Sequence, residues 1–238
     1  MLTCNFIEAK TIDDAHFKLI YNIFQTGRVY IIDRGSYVGH KRLEYDHVTF
    51  HIQYPGTRPL APVMPTGVPP VTDDAAIETY FMKYLMDPGL ADNELYTYGQ
   101  YIHPQLEPVI KMLKEEGSGT NQATISIGDA ESIKQEHPAC LRLIDCRIMH
   151  NKLHFIIVFR SWDLWAGMPE NIAGLQLLKE YMAKEIGVED GEIIASSKGM
   201  HLYDYQWPIA KQRLNNIMPE NSVISAEEAD LGEGWMEQ

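Results

Sequence analysis

The sequence predicts a single domain of the α+β class. The chain has 238 residues, of which 45% are hydrophobic and 22% are charged, so it can bury a sizeable core. Segments with helical spacing of apolar residues are mixed with short apolar segments typical of strands. No linker separates the chain into two parts. We therefore interpret residues 1–238 as one domain that ends in an acidic, weakly patterned tail, 218–238.

The first half of the chain contains three predicted helices and two predicted strands. Alternating Val48, Phe50, Ile52 and Tyr54 indicate a strand, and a proline-rich stretch that follows indicates a loop. In chain order we predict helix 12–25 ended by Gly27, strand 47–54, a helix capped at Asp73 and ended at Asp87, helix 104–116 with Pro104 at its first position, and strand 123–127.

The second half is predicted to contain three strands and two helices. Residues 140–161 are typical of two strands joined by a turn near Asn151. The strongest helical pattern follows Pro169, spans about 170–186 and ends at Gly187. A strand at 192–197 and a helix at 204–216 complete the prediction.

Charge and cysteine content exclude several classes of function. The 20 basic and 33 acidic residues give a formal net charge of −13, which argues against a nucleic-acid or anionic-membrane partner. No apolar stretch is long enough to span a membrane, and the N-terminus lacks the apolar core of a secretory signal. Three scattered cysteines without a CxxC pair favour a reducing cytoplasm and no metal site.

Chemically useful residues are concentrated between Pro138 and Tyr203. Cys140 precedes an apolar strand, and Arg160 follows 20 positions later, where turn residues would normally end the next strand. A strand cysteine is more often an inert core residue, as we predict for Cys146. The surrounding polar residues favour a functional interpretation of Cys140; they are Arg160, Ser161, Asp163, Asn171, His201 and Tyr203.

The segment RSWDLWAGMPENIAGLQLL resembles the signature RSxDxxxGxPxNIAxxxLL of the thymidylate synthase family, which includes the deoxypyrimidine nucleotide hydroxymethylases. Cys140 stands at the spacing of the family's catalytic cysteine, and HLY at 201–203 resembles its HxY motif. Upstream, Glu78, the YG pair at Tyr98 and the loop at Arg34 resemble further family motifs. The resemblance covers about 15–215, and the short length and YTYG wording are similar to the archaeal and hydroxymethylase branches.

The resemblance implies a fold and a covalent reaction. The fold would have a mixed β-sheet packed at a homodimer interface, with helices on the other face. The thiolate of Cys140 would add to C6 of a uracil ring and so activate C5, helped by Arg160, which would favour the anion. Glu78 would organise water for proton transfer at the base, and Tyr98 would join that network.

The resemblance also implies how the nucleotide is bound. Arg34, Arg160 and Ser161 would hold the phosphate, since a guanidinium fork matches phosphate oxygens. His201 and Tyr203 would bond the ribose 3′-hydroxyl. The ligand would therefore be a pyrimidine nucleotide, dUMP in the first instance.

The resemblance further implies which residues contact the cofactor and which residue reads the base. Asp163 would hold the pterin ring of methylenetetrahydrofolate, or of methylene-tetrahydromethanopterin, with Glu78 also in the cofactor site. Asn171 can donate to O4 of uracil and accept from N3–H, whereas the related deoxycytidylate hydroxymethylases use a carboxylate there. Asn171 thus favours dUMP over dCMP, and Glu170 is one position out of register.

Three departures from the family pattern leave alternatives open. Leu141 stands where bacterial enzymes carry His, and 120–122 (Thr-Asn-Gln) replaces a pair of arginines that reach the partner's phosphate. The acidic C-terminus lacks the apolar end that closes over folate. A hydroxymethylase acting on dUMP, dCMP or CMP is therefore the second hypothesis, and a non-catalytic nucleotide-binding relative is the third.

Overall fold

Two β-sheets and five α-helices build the part of the chain that the computed structural model describes, residues 1–33, 37–90 and 96–230. The strands are β1 (Asn5–Ala9), β2 (Arg28–Ile31), β3 (Lys41–Glu44), β4 (Val48–Ile52), β5 (Thr124–Ser126), β6 (Leu141–Met149), β7 (Lys152–Phe159), β8 (Trp162–Asp163), β9 (Glu189–Ser197) and β10 (Met200–Tyr203). The helices are α1 (Ile12–Thr26), α2 (Asp74–Tyr80), α3 (Gly99–Glu116), α4 (Gly167–Ile186) and α5 (Trp207–Arg213). This mixture confirms the α+β class.

The larger sheet is mixed and has the order β1-β4-β9-β7-β6-β5. Pairs β1/β4 and β7/β9 are parallel, and the other neighbours are antiparallel. Strands β6 and β7 form a hairpin whose turn residues, His150 and Asn151, have φ of 52° and 60°. Such left-handed backbone at two successive residues is typical of a tight hairpin turn, and the predicted turn near Asn151 is confirmed.

Helix packing covers one face of this sheet. In β7, Leu153, Phe155, Ile157 and Phe159 are fully buried, while the residues between them are partly exposed. Helix α4 contributes the opposite side of the core through a buried face that includes Ile172, Leu175, Leu178 and Met182. The buried apolar residues form one continuous cluster.

The smaller sheet has the order β2-β3-β10-β8 and lies beside the functional segment. Its strands are two to four residues long, too short to show the alternation that identifies a strand in sequence. Parallel pairing of β10 with β8 places His201 opposite Asp163. Antiparallel pairing with β3 places Tyr203 opposite Arg42.

The predicted start of the third helix was wrong. Helix α3 begins at Gly99, so Pro104 lies inside it rather than at its first position. Its buried face, which includes Ile102 and Leu106, gains enough packing to offset the hydrogen bond that Pro104 cannot make. The first turn also approaches another segment closely, because a Cβ at Gly99 would stand 2.0 Å from the carbonyl oxygen of Asp87.

Two other helices have boundaries that differ from the predicted ones. Helix α4 begins at Gly167, so Pro169 is its third residue, a position whose N–H needs no partner within the helix. The predicted helix 204–216 is a single 3₁₀ turn followed by the short α5. Asn215 and Asn216 follow with φ of 55° and 60°, a left-handed conformation that ends a helix.

The described part of the acidic tail packs on the body of the protein. The Val223 N–H donates to the Phe24 carbonyl at 2.7 Å, and both Ile224 and Ala229 are buried. Residues 231–238 lie outside the described residues. Within the described ranges, the helices are too short or too polar to cross a membrane.

Candidate active site

Cys140 lies in the loop that leads into β6, half-buried and unpaired as a free thiol. Its carbonyl accepts a 2.8 Å hydrogen bond from the Arg160 N–H, which fixes the loop against the end of β7. Cys146, six residues later in β6, is only 3% exposed, and burial raises the pKa of its thiol. The chain therefore presents Cys140 to the site and keeps Cys146 in the core, as expected for Cys146.

The Arg160 side chain reinforces this loop. Its Nε donates to the carbonyls of Pro138 and Ala139 at 3.1 and 3.2 Å, and its Nη2 donates to Pro138 at 2.6 Å. Nη1 has no hydrogen-bond partner within the described ranges. Arg160 thus positions the segment before Cys140 and retains one guanidinium nitrogen for a ligand.

Two tyrosines contact the same segment from the start of α3. The Tyr98 hydroxyl accepts a 3.3 Å hydrogen bond from the Leu141 N–H, and Tyr96 interacts with the backbone of Cys140. Their rings lie 5.8 Å apart, and burial raises the pKa of both phenols. Tyr98 was predicted to lie in the site, whereas Tyr96 was missed.

Asn171 projects from the first turns of α4, and the Trp162 indole holds its side-chain oxygen. Its Oδ1 accepts a 2.9 Å hydrogen bond from the Trp162 indole Nε1–H. The buried Tyr80 phenol lies near the Asn171 amide, although its oxygen has no hydrogen-bond partner among the described residues, and Tyr80 approaches α4 because Gly174 has no side chain there. Tyr80 in turn interacts with Tyr98, so the Asn171 and Cys140 regions are connected.

Asp163 and the HLY motif meet through the pairing of β8 with β10. The Asp163 carboxylate accepts from the Trp165 N–H at 2.9 Å and from the Gln206 amide at 3.3 Å. His201 Nδ1 donates to the Gly199 carbonyl at 2.8 Å, and burial lowers the pKa of the imidazole. His201 is therefore neutral near pH 7, with its acceptor atom at Nε2.

That Nε2 atom is buried and has no hydrogen-bond partner among the residues described. The Tyr203 ring packs edge-on against His201 with 4.8 Å between centroids. Burial and the nearby Asp163 carboxylate raise the pKa of Tyr203, so its hydroxyl keeps its proton. An acceptor beside a protonated phenol is suited to binding a ligand hydroxyl.

A cavity of about 400 Å³ opens beside Arg160 and Ser161. Arg42 and Lys198 add positive charge to its wall, and Glu44 adds a carboxylate. Leu2, Tyr30, Asp46 and Gly199 complete the lining. Sequence reasoning missed Arg42 and Lys198, although Lys198 stands only three positions before His201.

The charges in this cavity are unevenly paired. Arg42 Nε lies 2.7 Å from a Glu44 carboxylate oxygen, and burial raises the pKa of Glu44. Asp46 is held by Arg28, with contacts of 2.8 and 2.9 Å, which lower its pKa to about 2. Lys198 is exposed and forms no ion pair with a described residue. The cavity is therefore suited to an anion.

Two predicted residues are not brought into this arrangement. Glu78 is exposed on α2, and its side chain makes no hydrogen bond or ion pair with the other candidate residues in the described ranges. Arg34, predicted to bind phosphate, lies outside the described residues. Within the described ranges, no group of three His, Cys, Asp or Glu residues is arranged to hold a metal ion.

Comparison with known proteins identifies the family. The family model described as thymidylate synthase matches residues 91–230. A protein of Methanosarcina mazei named "Putative thymidylate synthase" is 30% identical over 219 residues, which cover 89% of this chain and 95% of the relative. A protein of Methanosarcina acetivorans with the same name is 29% identical over the same shares. A thymidylate synthase of Listeria monocytogenes is 31% identical over 112 residues, 47% of this chain and 35% of that protein. The chain belongs to the thymidylate synthase family.

Proposed function

We propose that this chain is a methyltransferase that converts dUMP to dTMP, with a methylene-tetrahydropterin as donor of both the carbon and the hydride. The observation that carries the proposal is the placement of Cys140, a free thiol in a loop fixed by Arg160 and flanked by Tyr96 and Tyr98. A binding protein needs no nucleophile held in this way. The second hypothesis, 5-hydroxymethylation, uses the same nucleophile and differs in the last step.

The reaction begins with attack of the Cys140 thiolate on C6 of the uracil ring. The new S–C6 bond makes C5 nucleophilic, so that C5 can attack the one-carbon unit of the pterin. Loss of the C5 proton and cleavage of the bond between the one-carbon unit and the pterin nitrogen then give an exocyclic methylene. A hydride from the same reduced pterin converts this methylene to a methyl group as the thiolate leaves. Capture of that methylene by water would give the hydroxymethyl product instead.

The remaining residues bind the nucleotide. Asn171 faces the base, and the acceptor Nε2 of His201 with the Tyr203 hydroxyl is suited to the ribose 3′-hydroxyl. Asp163 is assigned to the pterin, since a carboxylate accepts from paired N–H donors. Glu78 is assigned to proton transfer on the resemblance alone, since its exposed side chain on α2 contacts none of the other candidate residues that the structure describes.

The pterin, the assembly and the compartment are part of the same proposal. The co-substrate is methylenetetrahydrofolate or methylene-tetrahydromethanopterin, and no metal is required. The sheet face opposite the helices carries half-exposed apolar residues such as Ile156 and Ile194, a surface that a second copy can cover in a homodimer. Three unpaired cysteines favour a reducing cytoplasm.

Product analysis tests the reaction. With 5-tritiated dUMP and methylenetetrahydrofolate, we expect tritium release and a product with the mass of dTMP. Parallel reactions contain 5-tritiated dCMP or methylene-tetrahydromethanopterin. Tritium release with a hydroxymethyl product, or release from dCMP alone, would contradict the synthase reaction and support the hydroxymethylase. No release with either pterin and either nucleotide would contradict both.

Lys198 and Arg42 are assigned to the phosphate, in place of the arginine pair that 120–122 lacks. Lys198→Ala should weaken dUMP binding by roughly 10-fold and leave deoxyuridine binding unchanged, because a charged hydrogen bond to phosphate is lost. Glu44→Gln should strengthen dUMP binding, because it removes a negative charge from the cavity. Calorimetric titration with both ligands gives the ratio of affinities that isolates the phosphate.

Lys111→Ala is the control for this prediction, since Lys111 is an exposed lysine on α3 that does not line the cavity. It should leave both affinities unchanged. Equal weakening of dUMP and deoxyuridine in Lys198→Ala would contradict a role for Lys198 at the phosphate.

A further inference from the structure

An asparagine side chain alone does not distinguish uracil from cytosine. Uracil presents an acceptor at O4 and a donor at N3, whereas cytosine presents a donor at N4 and an acceptor at N3. Rotating the amide of Asn171 by 180° exchanges its oxygen and nitrogen, so each base has a matching orientation. Selection of one base therefore requires that something fix the amide.

Trp162 supplies that constraint. Its indole Nε1–H donates to Asn171 Oδ1 at 2.9 Å, and an indole N–H can only donate. The opposite orientation would place the amide Nδ2–H against the indole N–H, two donors facing each other. Tyr80, the other neighbour of Asn171, has a hydroxyl that both donates and accepts, so it accommodates either orientation.

The indole itself is firmly placed. Trp162 is 3% exposed, and its ring stacks on Phe159 with 3.8 Å between centroids and 10° between planes. Phe50 packs on it at 5.9 Å. A buried, stacked ring cannot turn its N–H away from Asn171 without disturbing the core.

We infer that Trp162 is a specificity-determining residue, which fixes the Asn171 amide in the orientation that accepts uracil and opposes cytosine. Nδ2 is then presented as the donor for O4 of uracil. Oδ1 accepts from Trp162 with one lone pair and keeps the other for N3–H. The N4 amino group of cytosine would meet an N–H. This inference rests on the proposed binding of a pyrimidine nucleotide at Asn171.

The test is the ratio of dUMP to dCMP affinity in Trp162→Phe, measured by calorimetry without the pterin. Phenylalanine keeps a stacked ring but removes the donor, so the amide can turn. We expect dCMP binding to strengthen and dUMP binding to weaken slightly, so that the ratio falls by roughly 10-fold. The opposite directions of the two affinity changes are the decisive result, because a general loss of structure would weaken the binding of both nucleotides.

Trp207→Phe is the matched control. Trp207 is also 3% exposed, and its Nε1–H donates to the Leu202 carbonyl at 3.2 Å. This variant loses a buried indole hydrogen bond of the same kind away from Asn171, so the affinity ratio should stay at the wild-type value. If Trp162→Phe fails to fold, 3-benzothienylalanine at position 162 keeps the ring shape and places sulfur where the N–H stands.

The outcomes separate this inference from the proposed function. A wild-type preference for dUMP that falls in Trp162→Phe and persists in Trp207→Phe supports the inference, whether or not dTMP is formed. An unchanged preference in Trp162→Phe overturns it, even if the enzyme produces dTMP. A wild-type chain that binds the two nucleotides equally, or prefers dCMP, also overturns it.

Discussion

Replacing Cys140 with serine should reduce turnover of dUMP by about 10⁴-fold or more while leaving dUMP binding measurable. A serine hydroxyl is scarcely ionised at neutral pH and is a poor nucleophile without an adjacent base, so the S–C6 bond has no effective replacement. The Arg160 contacts that hold the loop involve backbone carbonyls, so the change of side chain should leave the loop in place. Tritium release and calorimetric titration measure the two properties separately.

Cys4→Ser is the control for this experiment. Cys4 is exposed near the N-terminus and undergoes the same substitution, so its activity should match the wild type. Cys146 is unsuitable as a control, because a polar hydroxyl in its buried position would destabilise the fold. Turnover by Cys140→Ser at a substantial fraction of the wild-type rate would rule out covalent catalysis by Cys140.

The region from Pro138 to Tyr203 was the most predictable part of the site, for a physical reason. The spacing of Cys140 and Arg160 is set by one hairpin, since they flank β6 and β7 and meet where those strands begin and end. Similarly, His201 and Asp163 lie on paired strands. When a fixed length of regular structure separates two candidate residues, their spacing in the sequence determines their relative position in the fold.

The contacts that sequence reasoning missed depend on packing between distant segments. Arg42 reaches the cavity only because β3 pairs with β10, two strands too short to leave a pattern in the sequence. The Trp162–Asn171 hydrogen bond depends on the packing of β8 against α4. The sequence alone therefore gives Trp162 and Tyr96 no defined role, and the structure shows their contacts.

The secondary structure likewise has a part that could be predicted from the sequence and a part that could not. Long elements with a clear apolar face, such as α1, β6 and β7, were predicted close to where they are observed, and α4 was predicted with its correct end. The start of α3 was missed because Pro104 locally favours a helix start, whereas the buried face of the helix extends back to Gly99. Tertiary packing overrides local preference wherever a segment is covered on one side.

Replacing Arg160 with alanine should reduce kcat/KM for dUMP by about 10³-fold, through two separable effects. Loss of the bonds to Pro138 and Ala139 frees the loop that carries Cys140, and a displaced nucleophile costs roughly 10²-fold in kcat. If the cavity beside Arg160 binds the phosphate as proposed, loss of its guanidinium should raise KM by roughly 10-fold. Steady-state kinetics gives the two parameters, and Arg58→Ala, which removes an arginine paired with Glu180 outside that cavity, should change neither.

Arg160→Lys distinguishes the two effects, because a lysine restores positive charge but not the fork that bridges two carbonyls. Its KM should lie near the wild-type value, while its kcat should stay close to that of the alanine variant. The rate of Cys140 alkylation by iodoacetamide, measured in a Cys4→Ser background, reports the loop without any nucleotide. If both variants alkylate at the wild-type rate and lose only affinity, Arg160 acts on the phosphate alone. If alkylation and kcat change together, Arg160 positions the nucleophile. The 20-residue spacing between Cys140 and Arg160 is then required by the reaction as well as by the length of the hairpin.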